Sequence, residues 1–207
     1  MNYLRVSVTD RCNLRCIYCN PLGGGARDRQ ENLTFEEIRR VVGFFAACGI
    51  RTVRLTGGEP LVRTGIVDLV RELANVPGID DLALTTNGVL LGPMAAELRS
   101  AGLRRVNVSL DAADRECFHR MTGSDSLSQV LAGIDAALEA GLTPVRINCV
   151  VVKDANLSQV PALARMSTRI PVSIRFIEYC PTDRRTTLAD GYVPNREIRQ
   201  IIESRFG

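Results

Sequence analysis

Short runs of β-branched and other apolar residues alternate along the chain with stretches that carry apolar residues at helical spacing. The runs predict six strands, each followed by a segment with helical periodicity. They fall at about residues 4–8, 52–56, 82–86, 105–110, 145–152 and 172–177. Strands that alternate with helices and are joined by short turns form parallel sheets with right-handed crossovers. The pattern therefore predicts an α/β fold.

The predicted helices have recognisable ends. Thr34 begins the first one with a capping box that includes Glu37, and Gly49 ends it. Further helices are predicted at about residues 93–102 and 127–141 and from about residue 195 onward. The glycine-rich, charged segment 21–32 is predicted to be a loop, not a phosphate-binding turn.

Polar residues occupy one face of nearly every predicted strand. Residues two apart point to the same side of a strand, so the polar positions can converge while the alternate apolar positions pack under helices. The polar set is Arg5, Ser7, Arg54, Thr56, Thr85, Asn87, Asn107, Ser109, Arg146, Asn148 and Arg175. The apolar set is Val6, Val8, Val53, Leu55, Val106, Val108, Ile147 and Cys149. An open sheet buried on both faces would instead show continuous apolar strands. The pattern predicts a partial (β/α)6 barrel with a polar site at the carboxyl ends of its strands.

Arginines recur in this polar set on four strands. Any one of them could be an edge or surface residue. Several together indicate an anionic ligand, because a buried charge without a partner costs several kcal/mol. Guanidinium groups pair bidentately with phosphate, so a phosphorylated ligand would fit.

Composition narrows the class of protein. With 207 residues and 45% hydrophobic content, one substantial core and one domain over residues 1–207 are expected. A net charge of +3 is too small to indicate a nucleic-acid surface, and no apolar run reaches the length of a membrane span. Seven cysteines, three of them clustered, indicate a reducing compartment. We expect a cytoplasmic protein without a membrane or nucleic-acid partner.

The clustered cysteines are Cys12, Cys16 and Cys19, which directly follow the first strand. Three thiolates on a 4Fe-4S cluster leave one iron without a protein ligand, and S-adenosylmethionine can chelate there. Alternatives are half of a zinc site or a redox dithiol. A structural zinc would need a fourth ligand from far along the chain, which has one histidine, His119, and no second paired-cysteine motif.

A second motif, Thr-Gly-Gly-Glu-Pro, ends the second strand. Gly57 and Gly58 let the backbone approach a ligand closely, and its carbonyls can accept from an ammonium group that Glu59 helps to hold. Taken alone, the same residues also form an ordinary strand-to-helix turn.

Five motifs in order carry a family resemblance. They are Leu-Arg-Val-Ser-Val-Thr-Asp-Arg-Cys-Asn-Leu-Arg-Cys-Ile-Tyr-Cys, Thr-Gly-Gly-Glu-Pro-Leu, Leu-Thr-Thr-Asn-Gly, Arg-Arg-Val-Asn-Val-Ser-Leu-Asp and Ile-Arg-Phe-Ile-Glu. They resemble the radical S-adenosylmethionine enzymes and, over the whole chain, the N-terminal two thirds of the GTP 3′,8-cyclase family, which acts first in molybdenum cofactor biosynthesis. The resemblance implies the partial six-stranded barrel.

The same resemblance implies roles for individual residues. It makes Cys12, Cys16 and Cys19 the ligands of a 4Fe-4S cluster. The positions matching S-adenosylmethionine contacts are Tyr18, Gly57, Gly58, Glu59, Ser109 and Cys180. Those matching substrate contacts are Arg5, Arg54, Thr85 and Arg146. The implied reaction is reductive cleavage of S-adenosylmethionine to a 5′-deoxyadenosyl radical that abstracts hydrogen from GTP, with an external electron donor. No side chain is assigned as general base or nucleophile.

The chain departs from the family pattern at three places. Arg146 stands where the family commonly has lysine, and Cys180 where it commonly has methionine. The family continues beyond the position of Gly207 into a second three-cysteine cluster and a diglycine tail, and neither lies within these 207 residues. The remaining cysteines, namely Cys48, Cys117, Cys149 and Cys180, lack paired spacing and are predicted to be ordinary buried thiols.

Three functional hypotheses stay open. The first is a GTP 3′,8-cyclase, and the second is a related radical enzyme acting on another anionic substrate. The third is a non-catalytic iron-sulfur or zinc module. Because the guanine-holding cluster of the family lies outside these residues, we expect the 207-residue chain alone to form 5′-deoxyadenosine without converting GTP. Whether the protein forms a homodimer stays open.

Overall fold

A computed structural model describes residues 3–19, 32–180, 188 and 190–207 of the chain. Within these residues six strands alternate with helices. The strands are β1 Tyr3–Ser7, β2 Thr52–Thr56, β3 Asp81–Thr86, β4 Arg105–Ser109, β5 Val145–Val151 and β6 Val172–Glu178. The helices are α1 Phe35–Ala47, α2 Ile66–Ala74, α3 Leu91–Ser100, α4 Arg115–Thr122, α5 Leu127–Glu139, α6 Lys153–Asn156, α7 Val160–Met166 and α8 Asn195–Phe206. The predicted loop at 21–32 lies almost entirely outside the described residues.

The strands form a sheet in the order β1-β2-β3-β4-β5-β6, which is also their order along the chain. The pairs β1–β2, β2–β3 and β3–β4 are parallel. Each of the six predicted strands is present, with ends within one residue of the predicted ones. The predicted α/β fold class with a parallel sheet is therefore confirmed.

The first helix begins as its sequence predicts. The Thr34 hydroxyl accepts from the amide of Glu37 at 3.1 Å, and the Glu37 carboxylate accepts from the amide of Thr34 at 2.7 Å. This reciprocal cap satisfies two amides that the first turn of a helix leaves without partners. The helix then buries Ile38 and Val42 and ends just before Gly49.

The chain divides into two compact units. The first comprises Met1–Asn13, Gly25–Val108 and Gln129–Val145, and the second comprises Leu14–Gly24, Ser109–Ser128 and Arg146–Gly207. The assignment of residues 1–207 to one domain stays a prediction.

Alternation along the strands places the core in each unit as the sequence predicts. In the first unit the buried apolar residues are Val8, directly after β1, and the strand residues Val53, Leu55, Leu82, Leu84, Val106 and Val108. In the second unit Ile147, Cys149 and Val151 are buried while Arg146 and Asn148 are half-buried. One position differs: Val6 is only half-buried, because β1 is the edge strand of the sheet.

Among the described residues, no helix is both long and apolar enough to cross a membrane.

Candidate functional site

The turn after β2 is packed directly against the segment that follows β1. The Gly58 amide donates to the Thr9 carbonyl at 2.7 Å, and the Glu59 amide donates to the Arg11 carbonyl at 2.7 Å. A Cβ atom on Gly57 would lie 2.3 Å from the Thr9 oxygen, and one on Gly58 would lie 2.2 Å from the Arg11 oxygen. Gly57 also has a φ of +152°. Both glycines are therefore required by contact between two backbone segments.

Glu59 is buried and holds this turn against the end of β3. Its Oε1 accepts from the Leu61 amide at 3.0 Å and from the Thr86 hydroxyl at 2.7 Å. Its Oε2 accepts from the Asn87 amide at 2.6 Å. Burial raises the pKa of Glu59, and the hydrogen bonds to its carboxylate oppose that rise. The carboxylate thus holds the turn after β2 against the end of β3. Its predicted contact with S-adenosylmethionine stays a prediction.

Asn87, just beyond β3, reaches the first cysteine. Its side-chain nitrogen donates to Asn13 Oδ1 at 2.7 Å and lies 3.9 Å from the Cys12 sulfur. Its side-chain oxygen accepts from the Val89 amide at 3.1 Å. The sequence placed Asn87 in the polar set but gave it no role. The feature of the sequence that could have indicated a role for Asn87 is its position between a predicted strand and a glycine.

The substrate-contact candidates of the first unit share one strand face. Arg5 and Arg54 are paired in the register of β1 and β2, and Thr85 is paired with Asn107 in that of β3 and β4. The guanidinium carbon of Arg54 lies 5.3 Å from the centre of the Tyr3 ring. Asn107 is 1% exposed, and its side-chain atoms have no hydrogen-bond partner among the described residues.

Residues 14–19 in the second unit form a short segment that we call the cysteine loop. Its backbone is hydrogen bonded to the end of α4, since the Arg15 amide donates to the Thr122 carbonyl at 2.9 Å and the Ile17 amide to the Met121 carbonyl at 3.0 Å. The Cys19 amide closes a turn on the Cys16 carbonyl at 3.0 Å. Met121 and Thr122 are the last residues of α4, where helix carbonyls lack partners within the helix.

Tyr18 ties the cysteine loop to the end of β4. Its hydroxyl donates to Asp111 Oδ2 at 2.7 Å, and Asp111 Oδ1 accepts from the Val150 amide at 2.8 Å. Burial and the neighbouring Asp111 carboxylate raise the pKa of Tyr18 well above its usual value. Burial raises the pKa of Asp111 to about 6 despite those two hydrogen bonds. The sequence did not indicate Asp111 as a functional residue.

Ser109 and Arg146, also in the second unit, are half-buried on β4 and β5. Cys180 follows the end of β6 and is exposed. The prediction that the unpaired cysteines are buried is right for Cys117 and Cys149 and wrong for Cys48 and Cys180. The physical reason is position: Cys48 is the C-terminal cap of α1, and Cys180 lies beyond the last strand.

None of the three clustered cysteines is in a disulfide, and Cys12 and Cys19 are exposed while Cys16 is half-buried. Cys12 belongs to the first unit, and Cys16 and Cys19 belong to the second. Within the described part of the chain no three His, Cys, Asp or Glu side chains are arranged to hold a metal ion. The chemistry of the donor set nevertheless fits a 4Fe-4S cluster, whose irons take thiolate ligands. The assignment of these cysteines as ligands stays a prediction.

The chain thus combines a parallel α/β sheet with three cysteines after its first strand and a tightly packed Gly-Gly turn after its second. The model of the Radical SAM superfamily matches residues 6–166, which is more than half of the chain. The chain therefore belongs to the Radical SAM superfamily, whose enzymes use a 4Fe-4S cluster and S-adenosylmethionine.

Two curated relatives of the chain are GTP 3′,8-cyclases. The chain is 46% identical over 209 residues to the GTP 3′,8-cyclase of Pelotomaculum thermopropionicum, a match covering 100% of this chain and 64% of that protein. It is 45% identical to the GTP 3′,8-cyclase of Moorella thermoacetica, covering 98% of this chain and 63% of that protein. The chain thus spans somewhat less than two thirds of the relatives it matches.

Solved structures share the fold. Streptococcus suis SuiB bound to S-adenosylmethionine superposes with a TM-score of 0.76 at 21% identity, covering 98% of this chain and 47% of SuiB. Native anSMEcpe with bound AdoMet gives a TM-score of 0.74 at 17% identity, covering 98% of this chain and 59% of that protein. The predicted fold, a partial (β/α)6 barrel of the radical S-adenosylmethionine type, is confirmed.

Proposed function

We propose that this protein cleaves S-adenosylmethionine reductively and that its substrate is GTP, for 3′,8-cyclisation in molybdenum cofactor biosynthesis. The observation that carries the proposal is the 46% identity to a GTP 3′,8-cyclase over the full length of this chain. Seven cysteines without a disulfide are consistent with the cytoplasm, where an electron donor would serve the protein.

Cys12, Cys16 and Cys19 would hold the 4Fe-4S cluster. When bound, this group supplies the electron that breaks the carbon-sulfur bond of the sulfonium. The protein's part is to bind and orient the methionine group. The Gly57–Gly58 backbone is suited to this task because its contacts with residues 9–11 leave it little freedom.

Substrate binding is assigned to the basic strand face. Arg5 and Arg54 occupy paired positions on adjacent parallel strands, so both guanidinium groups start from the same face of the sheet. A triphosphate offers oxygens that can accept from both groups. Thr85, two residues beyond the partner of Arg54 on β3, adds a hydroxyl on the same face. Arg146, in the second unit, is assigned to the substrate by the family resemblance alone.

The test measures GTP and S-adenosylmethionine binding separately, by equilibrium dialysis of the anaerobically reconstituted protein. Arg54→Ala and Arg146→Ala should each weaken GTP binding about 10- to 100-fold and leave S-adenosylmethionine binding nearly unchanged. The matched control is Arg40→Ala, because Arg40 is exposed on α1 and pairs only with Glu36 in the described structure. Equal losses for both ligands, or unchanged GTP binding, would contradict the assignment.

The same preparation tests the reaction. With a strong reductant, chromatography should detect 5′-deoxyadenosine. In a separate binding measurement, unlabelled GTP should displace labelled GTP from the protein better than ATP or CTP does. Preference for another anion would favour a related radical enzyme with a different substrate. Failure to form any 5′-deoxyadenosine with a full complement of iron would support a non-catalytic module.

A further inference from the structure

Asp111 lies at the centre of a buried hydrogen-bond network in the second unit. The residue is 3% exposed, and its carboxylate accepts from the Tyr18 hydroxyl with one oxygen and from the Val150 amide with the other. Its backbone carbonyl accepts from the side chain of Asn156 at 2.8 Å, and the same nitrogen lies 2.9 Å from the Val150 carbonyl. Asp111 is therefore fixed from both its side chain and its backbone.

Tyr18 connects the fixed Asp111 side chain to the cysteine loop. It lies between Cys16 and Cys19 in sequence, and its hydroxyl reaches a residue 93 positions away at 2.7 Å. The loop is also attached by backbone bonds at Arg15 and Ile17 to the end of α4, and both residues precede Tyr18. The Tyr18 hydroxyl is a side-chain link immediately next to Cys19.

We propose that Asp111 is a positioning residue that holds the cysteine loop through the Tyr18 hydroxyl, so that Cys16 and Cys19 keep the spacing that the cluster requires. The carboxylate suits this role because both oxygens only accept, one from an O–H and one from an N–H. The inference rests on the proposed cluster site and not on the identity of the substrate.

A carboxamide at this position cannot satisfy both donors. In Asp111→Asn one side-chain atom becomes an N–H donor, which faces either the Val150 amide or the Tyr18 hydroxyl. The hydroxyl can turn and accept, so the asparagine variant should retain part of the link. Asp111→Ala removes it, and Tyr18→Phe removes only the hydroxyl while the ring stays. The three variants therefore form a graded series.

The first measurement follows cluster loss, as the decay of visible absorbance after a chelator is added to the anaerobically reconstituted protein. Tyr18→Phe and Asp111→Ala should each lose the cluster on the order of tenfold faster than the unaltered protein. Asp111→Asn should fall between. In the double variant Tyr18→Phe/Asp111→Ala the acceleration should match that of one single variant, because both remove the same link.

The matched control is Asp114→Asn, an acid-to-amide change three residues further along the chain. Asp114 is the N-cap of α4, a position where asparagine caps as well as aspartate. It accepts from the Cys117 amide at 2.8 Å and from the Gln159 side chain, and it has no hydrogen bond to Tyr18 among the described contacts. This variant should lose the cluster at the rate of the unaltered protein. If Asp114→Asn accelerates the loss as strongly as Asp111→Ala, general destabilisation explains the effect and the proposal fails.

A second readout needs no cluster. In the metal-free protein, alkylation of individual cysteines is followed by mass spectrometry. Tyr18→Phe and Asp111→Ala should change the alkylation rates of Cys16 and Cys19 by about threefold or more and leave exposed Cys48 unchanged. Unchanged rates at Cys16 and Cys19, together with normal chelator resistance, would overturn the proposal. If the unaltered protein binds no cluster at all, the proposed function fails instead, and the alkylation result still decides the role of Asp111.

Discussion

The turn after β2 and the cysteine loop both carry predicted cofactor contacts, but the chain holds them in different ways. The turn is held by two backbone amides, by two close glycine contacts and by three hydrogen bonds to the Glu59 carboxylate, all of them made within the protein. The cysteine loop is held by two backbone bonds to α4 and by the Tyr18 hydroxyl, while Cys19 within it and Cys12 just before it are exposed.

This difference separates two kinds of requirement. The contacts that shape the turn lie within the protein, so substitutions there should lower the free energy of unfolding. The cysteine loop keeps its thiols available to a ligand, so substitutions there should reduce metal binding more than they reduce the free energy of unfolding. The predictions below test that separation.

The largest effect is expected at the thiols. Cys12→Ser, Cys16→Ser and Cys19→Ser should each abolish cluster binding and S-adenosylmethionine cleavage, because a neutral hydroxyl does not replace a thiolate on iron. Iron analysis after anaerobic reconstitution and the yield of 5′-deoxyadenosine measure both losses. Cys48→Ser, at an exposed helix end, should behave like the unaltered protein. A normal iron complement in any of the first three variants would remove that cysteine from the ligand set.

Gly58→Ala should destabilise the fold by several kcal/mol, since its Cβ would lie 2.2 Å from a backbone oxygen that cannot rotate away. Chemical denaturation of the metal-free protein gives the free energy of unfolding. Gly43→Ala is the control: it lies within α1 with nothing within 4 Å of the added atom, and it should stabilise by about 0.5–1 kcal/mol. Equal effects at the two glycines would show that the turn is not held as described.

Asp111, which accepts from Tyr18 of the cysteine loop, should make the free energy of unfolding depend on pH. Because burial raises the pKa of Asp111 to about 6 in the folded protein, the folded state binds a proton that the unfolded state has already released. Stability should therefore fall as pH rises from about 4 to about 6, by at most about 3 kcal/mol, and then level off. The comparison is the metal-free protein against Asp111→Asn, whose residue cannot titrate. Parallel pH profiles for the two would contradict the raised pKa.

Glu59→Gln tests the turn with a smaller change. The glutamine has one acceptor oxygen for donors that now approach both oxygens, so about 1–3 kcal/mol of stability should be lost. The control is Glu116→Gln, an exposed residue of α4 that pairs with Arg120, where a change within about 0.5 kcal/mol is expected. If Glu59→Gln instead leaves stability intact and abolishes S-adenosylmethionine binding, the carboxylate serves the ligand and the contrast with the cysteine loop is wrong.

The sequence predicted those parts of the molecule that follow from local periodicity. The alternation at Arg146, Ile147 and Asn148 fixed which side of β5 is polar, and the box at Thr34 and Glu37 marked the start of α1. These features depend on residues two or three apart, so they can be recognised without the fold.

What the sequence did not predict depends on residues brought together from afar. The hydrogen bonds that Glu59 accepts from Thr86 and Asn87 come from the end of another strand, so no sequence pattern indicated them. Tyr18 and Asp111 are 93 positions apart, and no sequence pattern in either segment indicates that they form a hydrogen bond. The exposure of Cys48 depended on where α1 ends, a boundary that helical periodicity does not fix to the residue.

The bonds between the cysteine loop and α4 also complete the end of that helix. The amides of Arg15 and Ile17 donate to the Thr122 and Met121 carbonyls, which have no partners within the helix. The cysteine loop and the last turn of α4 should therefore open together, and hydrogen exchange at the amides of both segments should report that opening.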